Sequence, residues 1–267
     1  MNQGFIKVAA GTPDVQVADC EFNAAEIIKM VREMEAEGAR VMVFPELCIT
    51  AYTCGDLFWQ ENLLEEAKVQ LMRIAEETAD VDAIIFVGLP LEYKGKLYNV
   101  AAGLNHGEIL GFVPKTYLPN YNEFYEARYF TSGEDVDGTV TIRRSEYGLH
   151  HDEEMTDEDV EFGLEAELEA LEEEDSFEEL EEIDEEPDYI DEDETEEFDE
   201  VDVPISSNIL FICQEMPKLK IAAEICEDLW VPNPPSVGHA YHGANLIVNL
   251  SASDEVVGKD SYRKSLV

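Results

Sequence analysis

The 267-residue chain contains no C-x-x-C pair, and its five cysteines, Cys20, Cys48, Cys54, Cys213 and Cys226, are odd in number and irregularly spaced. That pattern argues against a disulfide framework and a structural zinc site, and fits reduced thiols in the cytoplasm. Basic residues are scarce, 17 Lys and Arg against 62 Asp and Glu. The net charge of -45 repels phosphate and disfavours nucleic acid as a partner. No apolar run is long enough to cross a bilayer, and Met1-Asn2-Gln3-Gly4-Phe5 lacks a basic region leading into an apolar core. Neither a membrane span nor a signal peptide is expected, so the protein reads as soluble and cytoplasmic.

The acidic charge is uneven. About half of it lies between Asp152 and Asp202, where there is no Lys or Arg. Leu164, Leu168 and Leu171 could share a helical face there, but like-charge repulsion and too little apolar surface favour disorder. The spaced ligands and central glycine of a calcium-binding loop are missing. Residues 150–203 therefore read as an acidic insertion at a loop tip, dividing one domain into 1–149 and 204–267.

What remains alternates strand and helix patterns. Phe5–Ala10 reads as a strand, followed by a helix opening near Asn23 and Glu26, with Ile27, Val31 and Met34 on one face and Gly38 as its cap. Val41–Phe44 is a short, wholly apolar strand of the kind buried on both faces, and it runs into Pro45-Glu46-Leu47. A helical segment spans about Gly55–Thr78, with a further strand at Ala83–Gly88. Leu97–Leu104 and Ile109–Val113 form a hairpin across Asn105-His106-Gly107 and end at Pro114-Lys115. An aromatic run follows at Tyr117, Tyr121, Phe124, Tyr125, Tyr129 and Phe130. After the acidic stretch come strands at Ile205–Cys213 and Leu219–Ile225, a small-residue helical stretch with His239 and His242, a strand at Asn245–Leu250, and a helix running to Val267. With no third ligand nearby, the two histidines do not read as a metal site. Pattern alone supports an α/β protein with buried strands.

Three strand ends carry Glu46, Lys115 and Cys226. A lone cysteine is usually inert and buried, but a base, a fixed cation and a thiol together can attack an amide or nitrile carbon. The carboxylate takes the thiol proton and returns it to the leaving amine, while the ammonium and a backbone N–H near the cysteine hold the oxyanion. No histidine is placed for a Cys-His couple.

Phe44-Pro45-Glu46-Leu47-Cys48, Pro114-Lys115-Thr116-Tyr117-Leu118-Pro119-Asn120-Tyr121 and Glu224-Ile225-Cys226-Glu227-Asp228-Leu229-Trp230 resemble the three signature regions of the nitrilase superfamily of carbon–nitrogen hydrolases. The surroundings of Tyr52, Glu123 and Ser253 narrow the likeness to the glutamine-amidotransferase domain of glutamine-dependent NAD synthetases. The resemblance implies a four-layer α-β-β-α sandwich, C-terminally incomplete here, which hydrolyses the glutamine side-chain amide through a thioester and self-associates. It implies Glu46 as general base and acid, Lys115 as oxyanion stabiliser, Cys226 as nucleophile and Glu123 as the glutamate that orients the lysine. Tyr52, Tyr121, Glu227, Ser253 and Lys259 would hold glutamine. The glutaminase step needs no cofactor and no metal. ATP, magnesium and deamido-NAD belong to a synthetase domain, the partner that takes the ammonia, and no Ser-Gly-Gly-x-Asp segment for it is present. Ala51 stands where the family often has glycine, and Lys259 where it often has arginine. A free-standing amidase, or a non-catalytic scaffold whose acidic segment recruits basic partners, are the alternatives.

Overall fold

The computed structural model describes residues 5–143, 200–253 and 259–266. The stretch 150–203, with its Leu164, Leu168 and Leu171 face, lies outside them except for residues 200–203, which already belong to a strand. Elements run β1 (Val8–Ala10), α1 (Cys20–Ala36), β2 (Val41–Val43), α2 (Glu61–Glu77), β3 (Ile84–Tyr93), β4 (Lys96–Asn105), β5 (Glu108–Pro114) and β6 (Asp137–Arg143). They continue as β7 (Glu200–Ser206), β8 (Phe211–Ile212), β9 (Lys220–Ile225), α3 (Pro235–Tyr241), β10 (Leu246–Leu250) and α4 (Lys259–Leu266).

The strands form a seven-stranded sheet, ordered β1-β2-β3-β4-β5-β7-β6, and a three-stranded sheet, β10-β9-β8. β1, β2 and β3 are parallel, in register Val8 with Val41 and Val41 with Ile84. β3, β4 and β5 form an antiparallel meander, and β7 joins β5 in parallel through Phe112 and Ile205. Alternation along β9 explains how the sheets meet. Ile221, Ala223 and Ile225 point inward with Phe211, Val248 and Leu250, against Val41, Phe86, Ala101 and Val113 of the larger sheet. The rings of Phe86 and Phe211 meet edge to face at 5.1 Å across this layer. The alternate residue Glu224 faces α3, taking the Ser236 N–H at 3.2 Å. α2 packs on β3, β5 and α1, while α3 packs on β9. Helix, sheet, sheet and helix are the four layers, as expected for a mixed α/β sandwich.

Local chemistry shifts several expected boundaries. α1 opens at Cys20 because Asp19 caps it, accepting the Phe22 N–H at 3.0 Å. Asn23 is instead buried inside the helix and donates to the Ile49 carbonyl at 2.9 Å. The helix closes in a Schellman motif: Gly38, at φ +83°, donates to Glu35 at 2.7 Å, and Ala39 to Met34 at 3.0 Å. β1 starts at Val8, leaving Phe5 exposed. The expected strand Ile205–Cys213 is two strands, broken at Ser207-Asn208 where the chain changes sheets. β6 was not anticipated, because Asp137-Gly138-Thr139-Val140 has too few apolar residues to read as a buried strand. No described helix is long and apolar enough to cross a membrane.

Candidate active site

Glu46 is positioned by a backbone crossing that requires glycine. Past β2, the Phe44 N–H bonds the Phe86 carbonyl at 2.9 Å, and Pro45-Glu46-Leu47 then folds over β3. A Cβ on Gly88 would sit 2.3 Å from the Leu47 nitrogen and 2.7 Å from the Pro45 oxygen. Any side chain there would lift the turn and Glu46 with it. The Glu46 side chain is fully buried; its Oε1 accepts Lys115 Nζ at 2.5 Å and Asn99 Nδ2 at 2.7 Å. Its Oε2 faces the Ala252 N–H at 3.3 Å.

Lys115 extends the β4–β5 ladder by one rung, donating its N–H to the Asn99 carbonyl at 2.9 Å. Its Nζ lies between Glu46 and Glu126, 2.7 Å from Glu126 Oε1. Burial alone would lower the ammonium pKa, but the carboxylates of Glu46 and Glu126 outweigh it and hold Lys115 above its ordinary value. The cation is permanent. Glu126 also accepts the Tyr52 hydroxyl at 2.7 Å. Burial, then the Glu46 charge, push its carboxyl up to about 7.

This geometry corrects one expectation. Glu123 is exposed, and Glu126, on the short turn Glu126–Arg128, is the carboxylate that meets the lysine. Both glutamates lie in the same aromatic run, and only the turn, tied down by Arg128 to Asp56 at 3.0 Å, decides which one points inward. Asn99 and Asp228 were likewise not foreseen; the one sits mid-strand and the other two residues past the thiol, with no sequence signal beyond that proximity.

Cys226 begins a 3-10 turn directly after β9 and has φ +44°, the left-handed region. A non-glycine residue is held there at a cost of about 1–3 kcal/mol, which the surroundings must offset. Asp228 supplies part of that restraint, accepting Ile225 N–H at 3.0 Å, Tyr117 N–H at 2.7 Å and Thr116 N–H at 3.1 Å. The thiol is buried, and the nearby Ser251 hydroxyl donates to Asn249 Oδ1 at 2.6 Å. Burial first, and then the negative charge of Glu46, push the thiol up to about 12, with Lys115 pulling the other way. Just past the end of β10, Ala252 reaches Glu46 through its N–H.

The other expected residues fall into pairs. Tyr121, half exposed, donates to Glu227 Oε2 at 2.8 Å beside the thiol turn. Burial and that bond push the Tyr121 hydroxyl up to about 12. Lys259 donates to Ser253 Oγ at 2.6 Å and sits over the Trp230 ring at 5.6 Å. Tyr262 of α4 stacks on the same ring at 5.4 Å. Tyr52 is half-buried against Glu126 rather than open to solvent. Among the described residues, no group of three or more His, Cys, Asp or Glu side chains is arranged to hold a metal ion.

The profile of the carbon–nitrogen hydrolase family matches residues 7–264. The chain belongs to that family. It is accordingly a carbon–nitrogen hydrolase of the nitrilase superfamily. Over 263 residues, 98% of the chain, it is 31% identical to the glutamine-dependent NAD(+) synthetase of Mycobacterium tuberculosis. Over 251 residues it is 28% identical to the synthetase of Aquifex aeolicus. It spans only 30% and 31% of those two proteins, about a third of the length of the curated relatives it matches. In fold, this hydrolase resembles a glutamine-dependent NAD(+) synthetase from Cytophaga hutchinsonii, with a TM-score of 0.67 and 24% identity over 98% of the chain and 33% of that one. It also resembles an amidase from Nesterenkonia sp., with a TM-score of 0.56 and 16% identity over 94% of the chain and 66% of that one.

Proposed function

We propose that this carbon–nitrogen hydrolase cleaves the side-chain amide of glutamine and supplies the ammonia to an ATP-dependent synthetase that amidates deamido-NAD. The observation that carries the reading is the buried Glu46–Lys115–Glu126 chain beside a thiol on a strained turn, with the Tyr121–Glu227 pair next to it.

Because burial keeps the thiol protonated at neutral pH, its proton must leave as it attacks. Cys226 Sγ bonds the amide carbon and its proton passes to Glu46. The carbonyl oxygen becomes an oxyanion held by the Lys115 ammonium and a backbone N–H of the turn. Glu46 returns the proton to nitrogen, the C–N bond breaks, and ammonia leaves a glutamyl thioester. Water, losing a proton to Glu46, then attacks that carbon; thiolate leaves, recovers the proton, and glutamate is released.

Glu227 offers a carboxylate for the α-ammonium of glutamine, held in place by Tyr121. Ser253 and Lys259 offer a hydroxyl and a cation for its α-carboxylate. Tyr52 acts through Glu126. The step uses no cofactor; ATP, magnesium and deamido-NAD are handled by the synthetase domain or subunit that receives the ammonia, in the cytoplasm. Pairing of one sandwich with another belongs to the same reading and is tested by sedimentation.

The test is ammonia release from glutamine by the chain and by Cys226→Ala. The variant is expected to lose all turnover, and equal turnover by both would remove Cys226 from the mechanism. The fold likeness to an amidase favours a second reading, a free-standing amidase acting on other small amides. Faster release from short aliphatic amides than from glutamine would select it.

A further inference from the structure

Glu46 has two oxygens, and the site treats them differently. Oε1 accepts two donors, Lys115 Nζ at 2.5 Å and Asn99 Nδ2 at 2.7 Å, both from side chains that are almost wholly buried. Oε2 has one long contact, the Ala252 N–H at 3.3 Å. An oxygen already accepting a permanent cation and an amide has little basicity left for a third proton, whereas Oε2 is open to one.

We infer that Asn99 is a positioning residue which, together with Lys115, pins Oε1 and leaves Oε2 as the oxygen that takes and returns the proton. The inference rests on the proposed role of Glu46 as the base in amide cleavage. Two further observations support it. The orientation of the amide follows from its partner: a carboxylate oxygen has no hydrogen to give, so the Asn99 NH2 must be the end that faces Glu46. The Asn99 Oδ1 is then left buried with no hydrogen-bond partner among the described residues. A buried asparagine carrying only structural weight would satisfy both ends, since an orphaned acceptor is costly. Asn99 also accepts the Lys115 backbone N–H through its own carbonyl, at 2.9 Å. One residue thereby fixes both the base and the start of the lysine side chain that shares Oε1 with it.

The test compares ammonia release from glutamine by the whole chain with that of two variants that keep the branching at the γ carbon. Asn99→Leu removes the donor and is expected to lower kcat about 100-fold with KM within about twofold, since a small displacement of a reacting group costs that much. Asn99→Asp sets an oxygen against Oε1, and its activity is expected to recover as pH falls, because a protonated aspartic acid donates where the amide did. A residue that merely supports the fold would lower the melting temperature of both variants without this pH-dependent recovery. A kcat for Asn99→Leu within about twofold of the parent overturns the inference. Should both variants fail to fold, the parent decides: in an atomic-resolution crystal at acid pH, a C–Oε2 bond longer than C–Oε1 supports the inference, and equal or reversed lengths overturn it. If the unaltered chain releases no ammonia from any amide, the role of Glu46 fails first, and the bond lengths still report which oxygen is protonated.

Discussion

Asp228 accepts the backbone N–H of Tyr117 at 2.7 Å, joining the nucleophile turn to the lysine turn across a sequence separation of 111 residues. The same carboxylate holds Ile225, the residue before the strained Cys226. Deleting it leaves buried N–H donors unpaired, each costing about 1–3 kcal/mol. Asp228→Ala is therefore expected to lose about 2–5 kcal/mol in urea unfolding and most of its turnover. A loss under about 1 kcal/mol would show that these turns hold their register without it.

Burial pushes the Asp228 carboxyl up to about 7, and burial with the Glu46 charge does the same for Glu126. The folded chain thus keeps protons that the unfolded chain has released. The stability they contribute is fully present below about pH 4 and is lost as pH rises through about 7. Between those values, the unfolding free energy of Asp228→Asn is expected to fall less steeply with pH than that of the parent. Identical slopes would mean that Asp228 titrates in its ordinary range.

In the resting site the Cys226 thiol is pushed up to about 12 by burial and by Glu46. Iodoacetamide should label it slowly near neutral pH, with the rate rising about tenfold per unit as pH increases. The buried Cys48 is also pushed up to about 12, so labelling must be mapped by peptide mass. A rate already at its plateau near neutral pH would indicate a preformed thiolate.

Glu126→Gln and Glu123→Gln test which acid serves the lysine. The first is expected to lower turnover by about 100-fold, because an amide, which cannot ionise, replaces the carboxyl that Lys115 and Tyr52 both bond. The second, on an exposed side chain, should stay within about twofold.

Two glycines separate site from scaffold. At Gly38 a Cβ meets nothing within 4 Å, but φ is +83°, so Gly38→Ala costs about 1–2 kcal/mol of stability and leaves turnover intact. At Gly88 the Cβ meets the turn that carries Glu46, and Gly88→Ala should lower kcat at least as much as it lowers stability. Melting curves and turnover measured on the same samples distinguish the two.

Much of this was legible before any coordinates. Val41–Phe44 is apolar throughout because both faces are covered, Leu219–Ile225 is apolar apart from Lys220 and Glu224, and the ends of these runs pointed to Glu46 and Cys226 as candidates. Residues whose work is done by orientation were not legible. Asn99 lies inside an apolar strand, and nothing in its spacing shows that its amide faces a carboxylate that lies 53 residues away in sequence. The choice of Glu126 over Glu123 depends on a turn of three residues, below the resolution of any periodicity. The cap at Asp19 and the burial of Asn23 were exchanged because both are good capping residues.

The strand order β5-β7-β6 inserts a strand from the later part of the chain between two from the earlier part. The partition runs through the site as well: Glu46, Lys115 and Glu126 stand on residues 5–143, and Cys226 on residues 200–253. No contiguous segment therefore owns the chemistry. The base and the cation on one side and the thiol on the other meet only where the two stretches pack together, so a cut anywhere between residues 143 and 200 would divide the reaction centre between two pieces.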